Sequence, residues 1–284
     1  MDGERIAQKV FLLAAVLSAS VTVLLLAFMV ILGLPLFQGG LFLEILTQPW
    51  LPGRQLFGVW PMIAGTLAIA SLAVAIAFPL SLGVSSLIAV VAPGRIARLV
   101  KSAVAFMTGI PTVVYGFVGV FLLVPLVRES LSRGSGLCVL SAALVLGILV
   151  APTMILFFSD ALARVPRSHR IAAEALGATP AQVLIYVLIP GAWRGIVTGL
   201  VLSTGRAVGD TLIALMLAGN AAQVPNSLLD SARALTAHIA LVIASDFDSL
   251  EFKTIFACGI LLYAFTAAAT LAVRRLGRKR TPAR

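Results

Sequence analysis

The chain has 284 residues, of which 60% are hydrophobic and only 11% are charged, and its mean hydropathy is +1.08. A chain of this length and composition lacks the polar surface of a soluble domain, so it is predicted to be an all-α polytopic membrane protein. The formal net charge of +10 does not indicate nucleic-acid binding, because the basic residues gather at the ends of apolar segments.

Apolar runs of about 20 residues, the length that crosses a bilayer, predict six transmembrane helices. The first follows Arg5 and Lys9, and because its apolar run continues to Leu32 we expect an uncleaved helix rather than a signal peptide. The six helices are expected at Val10 to Gly33, Pro61 to Val91, Val100 to Val127, Leu137 to Phe158, Gly195 to Ala218 and Phe252 to Val273.

The distribution of Lys and Arg predicts the orientation of these helices. With the N-terminus inside, fifteen of these residues fall on the inner side and five on the outer side, so both termini are expected in the cytoplasm. The expected divisions are an N-terminal segment with the first helix and an outer loop (1–57), a core of five helices (58–273) with a cytoplasmic loop (159–190), and a basic tail (274–284) that meets anionic lipid.

The fifth predicted helix contains two opposite charges, Arg206 and Asp210, in the sequence GRAVGDT. A charge in the membrane costs at least about 2.5 kcal/mol, so such residues usually face a bundle interior or a water-filled path. The spacing of four residues predicts that both groups lie on one helical face and form an ion pair. A place on a substrate pathway and a purely structural pair that fixes helix packing both remain open.

The third predicted helix contains Gly109 and Pro111, which remove backbone hydrogen bonds and predict a kink or an unwound turn. Thr112 and Tyr115 are candidate partners for the freed backbone groups near a pathway. A packing kink with a core tyrosine is the alternative.

Two loops carry further patterns. Between about Asn220 and Glu251, the apolar stretch Leu235 to Ala244 is too short to span and is a candidate re-entrant or interfacial helix.

In the cytoplasmic loop, Pro166 opens a short helix that Gly177 ends, and Thr179 to Gln182 is a capping box that opens a second short helix, expected from Pro180 to Leu188. Two capped helices on the cytoplasmic side form a knob suited to docking another protein.

Motifs of intramembrane catalysis, ATP binding and metal binding are absent from the sequence. Cys138 and Cys258 have neither a CxxC arrangement nor a histidine at ligand spacing, so buried free thiols are expected. The chain is therefore expected to be a non-enzyme without metal or cofactor.

The segment AALGATPAQVLIYVLIP resembles the EAA loop of ABC importer permeases, which in that family seats a coupling helix in a cleft of the ATPase subunit. The positions that carry this resemblance are Ala172, Ala173, Glu174, Gly177, Ala178, Thr179 and Pro190, while Ile171 stands where the motif has its leading Glu. The segments GIPTVVYG, GRAVGDTLIALMLAGN and ALTAHIAL resemble the phosphate-specific Pst permeases, and the GN of the second is more similar to the C-type than to the A-type subunit.

The resemblance implies a type I importer bundle in the bacterial inner membrane. It also implies three kinds of partner: an external phosphate-binding protein, a second, A-type permease subunit, and a dimer of ATP-binding subunits that hydrolyse ATP. Membrane lipid is a further expected partner, from the basic tail. Arg206 would then hydrogen-bond phosphate while Asp210 holds the arginine side chain. A permease for sulfate or molybdate, a secondary transporter and a purely structural subunit remain alternatives.

Overall fold

The computed structural model describes residues 2–37, 41–92, 94–131 and 134–278. Six helical segments in this part of the chain are long and apolar enough to cross a membrane, as the sequence predicts. They are Glu4–Leu34, Trp60–Val90, Thr112–Leu131, Val139–Ala163, Pro180–Gly209 and Leu250–Arg275.

The elements follow one another as a chain of helices with one small hairpin. The first part contains α1 (Asp2–Phe37), α2 (Leu41–Thr47), β1 (Trp50–Leu51), β2 (Leu56–Phe57), α3 (Trp60–Ser86), α4 (Gly94–Thr108), α5 (Thr112–Val118) and α6 (Val124–Leu131). The second part contains α7 (Val139–Ala163), α8 (Arg167–Ala175), α9 (Pro180–Val183), α10 (Ile189–Gly209), α11 (Leu212–Leu217), α12 (Leu235–Val242) and α13 (Leu250–Arg278). Single π-helical turns at Leu87–Val91, Gly119–Leu123 and Leu184–Leu188 join neighbouring helices.

The core of the bundle is built around α7, which packs mainly against α3 and α10. About 67% of its most apolar window is buried, whereas none of the corresponding window of α1 is buried. Helix α1 lies at the periphery against α13, where the ring of Phe28 meets that of Phe256 at 6.3 Å. An apolar helix with so little contact has its hydrocarbon surface free for lipid.

The third predicted helix, Val100 to Val127, is wrong as a single span. Helix α4 ends at Thr108 and α5 begins at Thr112, with Pro111 as the residue before the new helix. Because proline has no N–H and restricts the residue before it, Gly109 to Pro111 interrupt the helix completely. Of the predicted third helix, only the part that lies in Thr112–Leu131 belongs to a segment long and apolar enough to span the membrane.

The fifth predicted helix, Gly195 to Ala218, is also wrong at both ends. The second short helix of the cytoplasmic loop does not stop before Pro190 but continues through it, because proline is tolerated in the first turn of α10. Residues Pro180–Gly209 thus form one rod of 30 residues. The expected loop 159–190 is therefore shorter, since α7 runs to Ala163 and the rod begins at Pro180.

At the other end of the bundle, the expected short helix is present as α12. Its first N–H, that of Leu235, donates to the buried hydroxyl of Thr66 at 2.8 Å. The hairpin of β1 and β2 places Trp50 edge-on to the ring of His238, 4.5 Å away. The expected basic tail from residue 274 begins inside α13, and residues 279–284 lie outside the described part of the chain.

A stripe of small residues brings α10 unusually close to α7. Gly191, Gly195, Gly199 and Ser203 recur every four residues. A Cβ atom built at Gly195 would collide with Ala161 Cβ, and one built at Gly199 would lie 2.7 Å from Phe157 Cβ. Small residues at this spacing allow helix backbones to approach closely in membranes. We call Gly191, Gly195, Gly199 and Ser203 the glycine stripe.

Replacing a residue of the glycine stripe should loosen the core. We expect Gly199→Ala to lower the stability of the folded chain by about 1 to 3 kcal/mol, because the added methyl group has no room against Phe157 and Phe158. Gly205→Ala on the same helix is the matched control, since a Cβ there meets nothing within 4 Å and the better helix former should be neutral or stabilising. The measurement is the thermal unfolding midpoint in lipid nanodiscs, and equal midpoints for the two variants would contradict this account.

Candidate functional site

Arg206 lies in the last turn of α10, on the side of the helix that approaches α7. Its guanidinium donates from Nη1 to the hydroxyl oxygen of Thr153 at 2.7 Å, and the side chain is half-buried. A cation in the last turn of a helix is stabilised by the exposed carbonyl groups there. Arginine has five N–H donors, so the bond to Thr153, the one side-chain bond of Arg206 among the described residues, leaves most of these donors available for a ligand.

The predicted ion pair between Arg206 and Asp210 is wrong. Helix α10 ends at Gly209, and Asp210 has an extended backbone, so the spacing of four residues no longer places both side chains on one helical face. The carboxylate of Asp210 instead accepts from the N–H of Ile213 at 2.9 Å, in the first turn of α11. No ion pair joins the two groups in the described residues.

A third helix, α12, stabilises the break between α10 and α11. The hydroxyl of Thr236, on α12, donates to the backbone oxygen of Asp210 at 2.8 Å. The side-chain bond to Ile213 N and this backbone bond satisfy polar groups that a broken helix would leave unpaired. Thr153 and Thr236 are thus functional candidates that sequence reasoning missed, because a threonine in an apolar span carries no distinctive signal.

The interruption before α5 lies beside the same region. The hydroxyl of Tyr115 donates to the backbone oxygen of Met107 at 3.1 Å, across the gap left by Gly109 and Pro111. Thr112 is the first residue of α5 and is half-buried. Helix α5 packs against α11, where Gly116 lies against Met216, so the gap before α5 and the break at Asp210 lie on neighbouring elements.

The backbone conformation after α11 explains why Gly219 and Asn220 occur there. Gly219 and Asn220 both have positive φ, +81° and +62°, which only glycine and asparagine adopt readily. The Asn220 side chain donates to Leu215 O at 2.6 Å, and its backbone oxygen accepts from Nε of Arg233 at 2.9 Å. Burial lowers the pKa of Arg233 and the charge of Glu251 opposes this, but arginine starts from so high a pKa that it stays charged.

The residues of the EAA resemblance form a rigid turn between α8 and α9. The N–H of Ala178 donates to Ala173 O and the N–H of Gly177 donates to Glu174 O, which with Gly177 at φ +83° is a Schellman motif. Thr179 and Gln182 then form the predicted capping box, with bonds of 2.8 and 3.4 Å. Ala172 lies on α8 next to Ala173, and Pro190 lies inside the rod rather than at the end of a loop.

An apolar surface is exposed around this turn. Leu176 is 89% exposed at the tip, and Tyr186 is 74% exposed beside it. Both border a concavity of about 370 Å³ that also includes Gly177 and Gln182. Glu174 is paired with Arg170 within α8 at 2.8 Å, so this carboxylate is already engaged inside the chain.

No group of three metal-ligating side chains occurs in the described ranges. Cys138 and Cys258 are buried free thiols, as the sequence predicts. The hydroxyls of Thr236 and Tyr115 already donate to backbone oxygens, so the spare hydrogen-bond donors of this region are the N–H groups of Arg206, which can bind an anion.

Residues 81–282 match the family described as the binding-protein-dependent transport system inner membrane component. The chain is 34% identical over 225 residues to the probable ABC transporter permease protein YqgH of Bacillus subtilis, covering 79% of this chain and 73% of that protein. It is 31% identical over 250 residues to the phosphate transport system permease protein PstC of Haemophilus influenzae, covering 80% of this chain and 78% of that protein.

Solved structures share the fold. The methionine ABC transporter MetNI, in an inward-facing conformation, matches with a TM-score of 0.59 and 23% identity over 80% of this chain and 96% of that one. A bacterial alginate ABC transporter, in complex with a periplasmic protein that holds an alginate pentasaccharide, matches with a TM-score of 0.59 and 14% identity over 95% and 94% of the two chains. The chain therefore belongs to the family of binding-protein-dependent transport system inner membrane components and is a permease subunit of an ABC importer.

Proposed function

We propose that this permease imports phosphate and that Arg206 lies on the path the anion takes. The observation that carries the proposal is the half-buried guanidinium of Arg206, which among the described residues bonds a neutral hydroxyl and is not neutralised by Asp210. Relatives that carry the name of a phosphate permease, at 28 to 33% identity, support the choice of phosphate among anions.

The chemistry of Arg206 suits transient binding. A planar guanidinium recognises phosphate oxygens through charge-assisted hydrogen bonds, and such bonds strengthen away from water. The exposed carbonyl groups at the end of α10 and the bond to Thr153 hold the side chain without cancelling its charge. A single arginine gives a site that is attractive enough to enter and weak enough to leave, as translocation requires.

Membership of the family supports the proposed assembly. This chain would form half of the translocation pathway with an A-type permease, receive phosphate from an external binding protein, and leave ATP hydrolysis to a separate pair of subunits. Both termini would lie in the cytoplasm of a bacterial cell with the α8–α9 turn, because basic residues surround this turn and both ends of the chain. The exposed Leu176 and Tyr186 would then dock into the ATPase subunit.

The first prediction concerns Arg206. In cells that lack this permease, Arg206→Ala should abolish labelled phosphate uptake, and Arg206→Lys should reduce it roughly tenfold, because the ammonium keeps the charge but loses the bidentate fork. Arg194→Lys, on the exposed side of the same helix, is the control and should transport normally. Excess sulfate and molybdate should not compete with phosphate uptake. Near-normal uptake by Arg206→Lys would exclude bidentate hydrogen bonding between the guanidinium and phosphate.

The second prediction separates helix capping from ion pairing at Asp210. Asparagine caps helices as well as aspartate does, so Asp210→Asn should keep uptake within about threefold of the parent, whereas Asp210→Ala should lower stability by about 1 kcal/mol. The double variant Arg206→Ala with Asp210→Asn should remain as inactive as Arg206→Ala alone. Restoration of uptake in the double variant would mean that the two charges balance each other after all.

The third prediction tests docking at the α8–α9 turn. Leu176→Glu should abolish co-purification of the ATPase subunits and phosphate uptake, because a charge replaces the most exposed apolar side chain of the turn. Ser168→Glu adds the same charge to the exposed surface of α8, away from the concavity, and should leave both unchanged. Retention of the ATPase by Leu176→Glu would place the docking surface elsewhere.

A further inference from the structure

A second cavity lies near the α8–α9 turn and is separate from Arg206. It has a volume of about 270 Å³ and is formed where α4, the end of α7, the start of α8 and two π-helical turns meet. We call it the basic cavity. Its lining consists of Ile88, Ala89, Lys101, Ser159, Leu162, Ala163, Val165, Arg167, Arg170 and Leu188.

The charged residues that line the basic cavity are all positive. Lys101, Arg167 and Arg170 line it, and none of the ten lining residues carries a carboxyl group. Glu174 pairs with Nε of Arg170 at 2.8 Å but is not part of the lining, and that bond leaves the other guanidinium nitrogens of Arg170 for a ligand. Three cations around one small volume repel each other, so the folded chain gains when an anion binds among them.

A buried hydroxyl supports the same interpretation. Ser159 is 3% exposed, lines the basic cavity, and its hydroxyl has no hydrogen-bond partner in the described structure. Buried polar groups almost always have a partner, and a hydroxyl without one destabilises the folded chain. An oxyanion in the cavity would accept a hydrogen bond from this hydroxyl and remove that destabilisation.

The size of the basic cavity limits the ligand. Its volume corresponds to about nine water molecules at ~30 Å³ each. This is below the usual range of about 300 to 1,000 Å³ for pockets that enclose a drug-sized molecule. One tetrahedral anionic group with a few waters fits this space, and the rest of a larger ligand would lie outside it.

We propose that the basic cavity is a binding site for a phosphoryl-type oxyanion, held by Lys101, Arg167 and the hydroxyl of Ser159. Free inorganic phosphate and the headgroup of an anionic lipid both present this group. The site joins α4 and α7 to α8, so an occupied cavity ties the start of the docking helix to the core of the bundle. The bound anion thereby stabilises the conformation in which these helices are together. The shift in the conformational equilibrium is set by how much more tightly that conformation binds the anion than the others do.

The test uses the full-length chain with Arg206→Ala, which removes the proposed transport site and makes failure of the transport proposal distinguishable from failure of this one. In phosphatidylcholine nanodiscs, labelled inorganic phosphate should bind, and Lys101→Gln with Arg167→Gln should weaken binding at least tenfold. The matched control is Arg98→Gln with Arg164→Gln, two exposed cations outside the cavity that change the net charge equally. The control should change binding by less than about twofold, since exposed charges act weakly through salt.

A second arm identifies the source of the anion. Without phosphate, nanodiscs that contain phosphatidylglycerol should raise the unfolding midpoint through the basic cavity if the lipid headgroup enters it. A rise that disappears in the Lys101 and Arg167 variant but persists in the control supports the proposal with lipid as the ligand. If both pairs of substitutions change phosphate binding and lipid stabilisation equally, or neither changes them, the proposal is overturned.

Ser159→Ala gives an independent test that does not depend on charge. If the hydroxyl binds the anion, this variant should weaken phosphate binding, or the phosphatidylglycerol effect, roughly five- to tenfold. It should also leave the unliganded chain as stable as the parent or more stable, because the unsatisfied hydroxyl is gone. A variant with unchanged anion affinity would show that Ser159 does not contact the ligand and would overturn its part in the site.

Discussion

The close approach of α10 to α7 determines the geometry of the candidate site. Glycines every four residues remove the side chains that would separate the two helices, and an added Cβ at Gly195 or Gly199 would collide with α7. This contact fixes the depth and rotation of α10, and with them the place of Arg206 at its end. The bond from Arg206 to Thr153 is a consequence, because it requires the two backbones to lie within the reach of one arginine side chain.

The two charges of the region are stabilised by helix ends rather than by each other. Arg206 lies where α10 exposes its carbonyl groups, and Asp210 lies where α11 exposes its N–H groups, so each charge meets a backbone end of opposite sign. An ion pair would have neutralised the arginine and lowered its attraction for an anion. With the pair broken, the positive charge stays available while the carboxylate keeps a structural role.

Sequence reasoning predicted the features that depend on local chemistry. Span number, the capping box at Thr179, the stop at Gly177 and the break at Pro111 follow from hydropathy and from residues with special backbone preferences. It failed at Asp210, where the outcome depends on tertiary partners, and at Pro190, where it depends on the local helix geometry. Thr236 and Ile213 N hold Asp210 in an extended conformation, and Pro190 is harmless once a π-helical turn leads into it. The glycine stripe was not predicted, because only the position of α7 gives its spacing a meaning.

The continuous helix Pro180–Gly209 connects the proposed docking surface with the proposed transport site. A helix of 30 residues is about 45 Å long, so one element extends from the α8–α9 turn to Arg206. Had the helix stopped before Pro190, as the sequence suggested, a movement of the turn would have to cross a flexible joint. Because the helix is continuous, a movement of the α8–α9 turn would pass through its hydrogen-bonded backbone to the end that carries Arg206, past the contact that the glycine stripe makes with α7. The bond between Arg206 and Thr153 joins this moving end to the fixed core, so it is the contact that such a movement would change first.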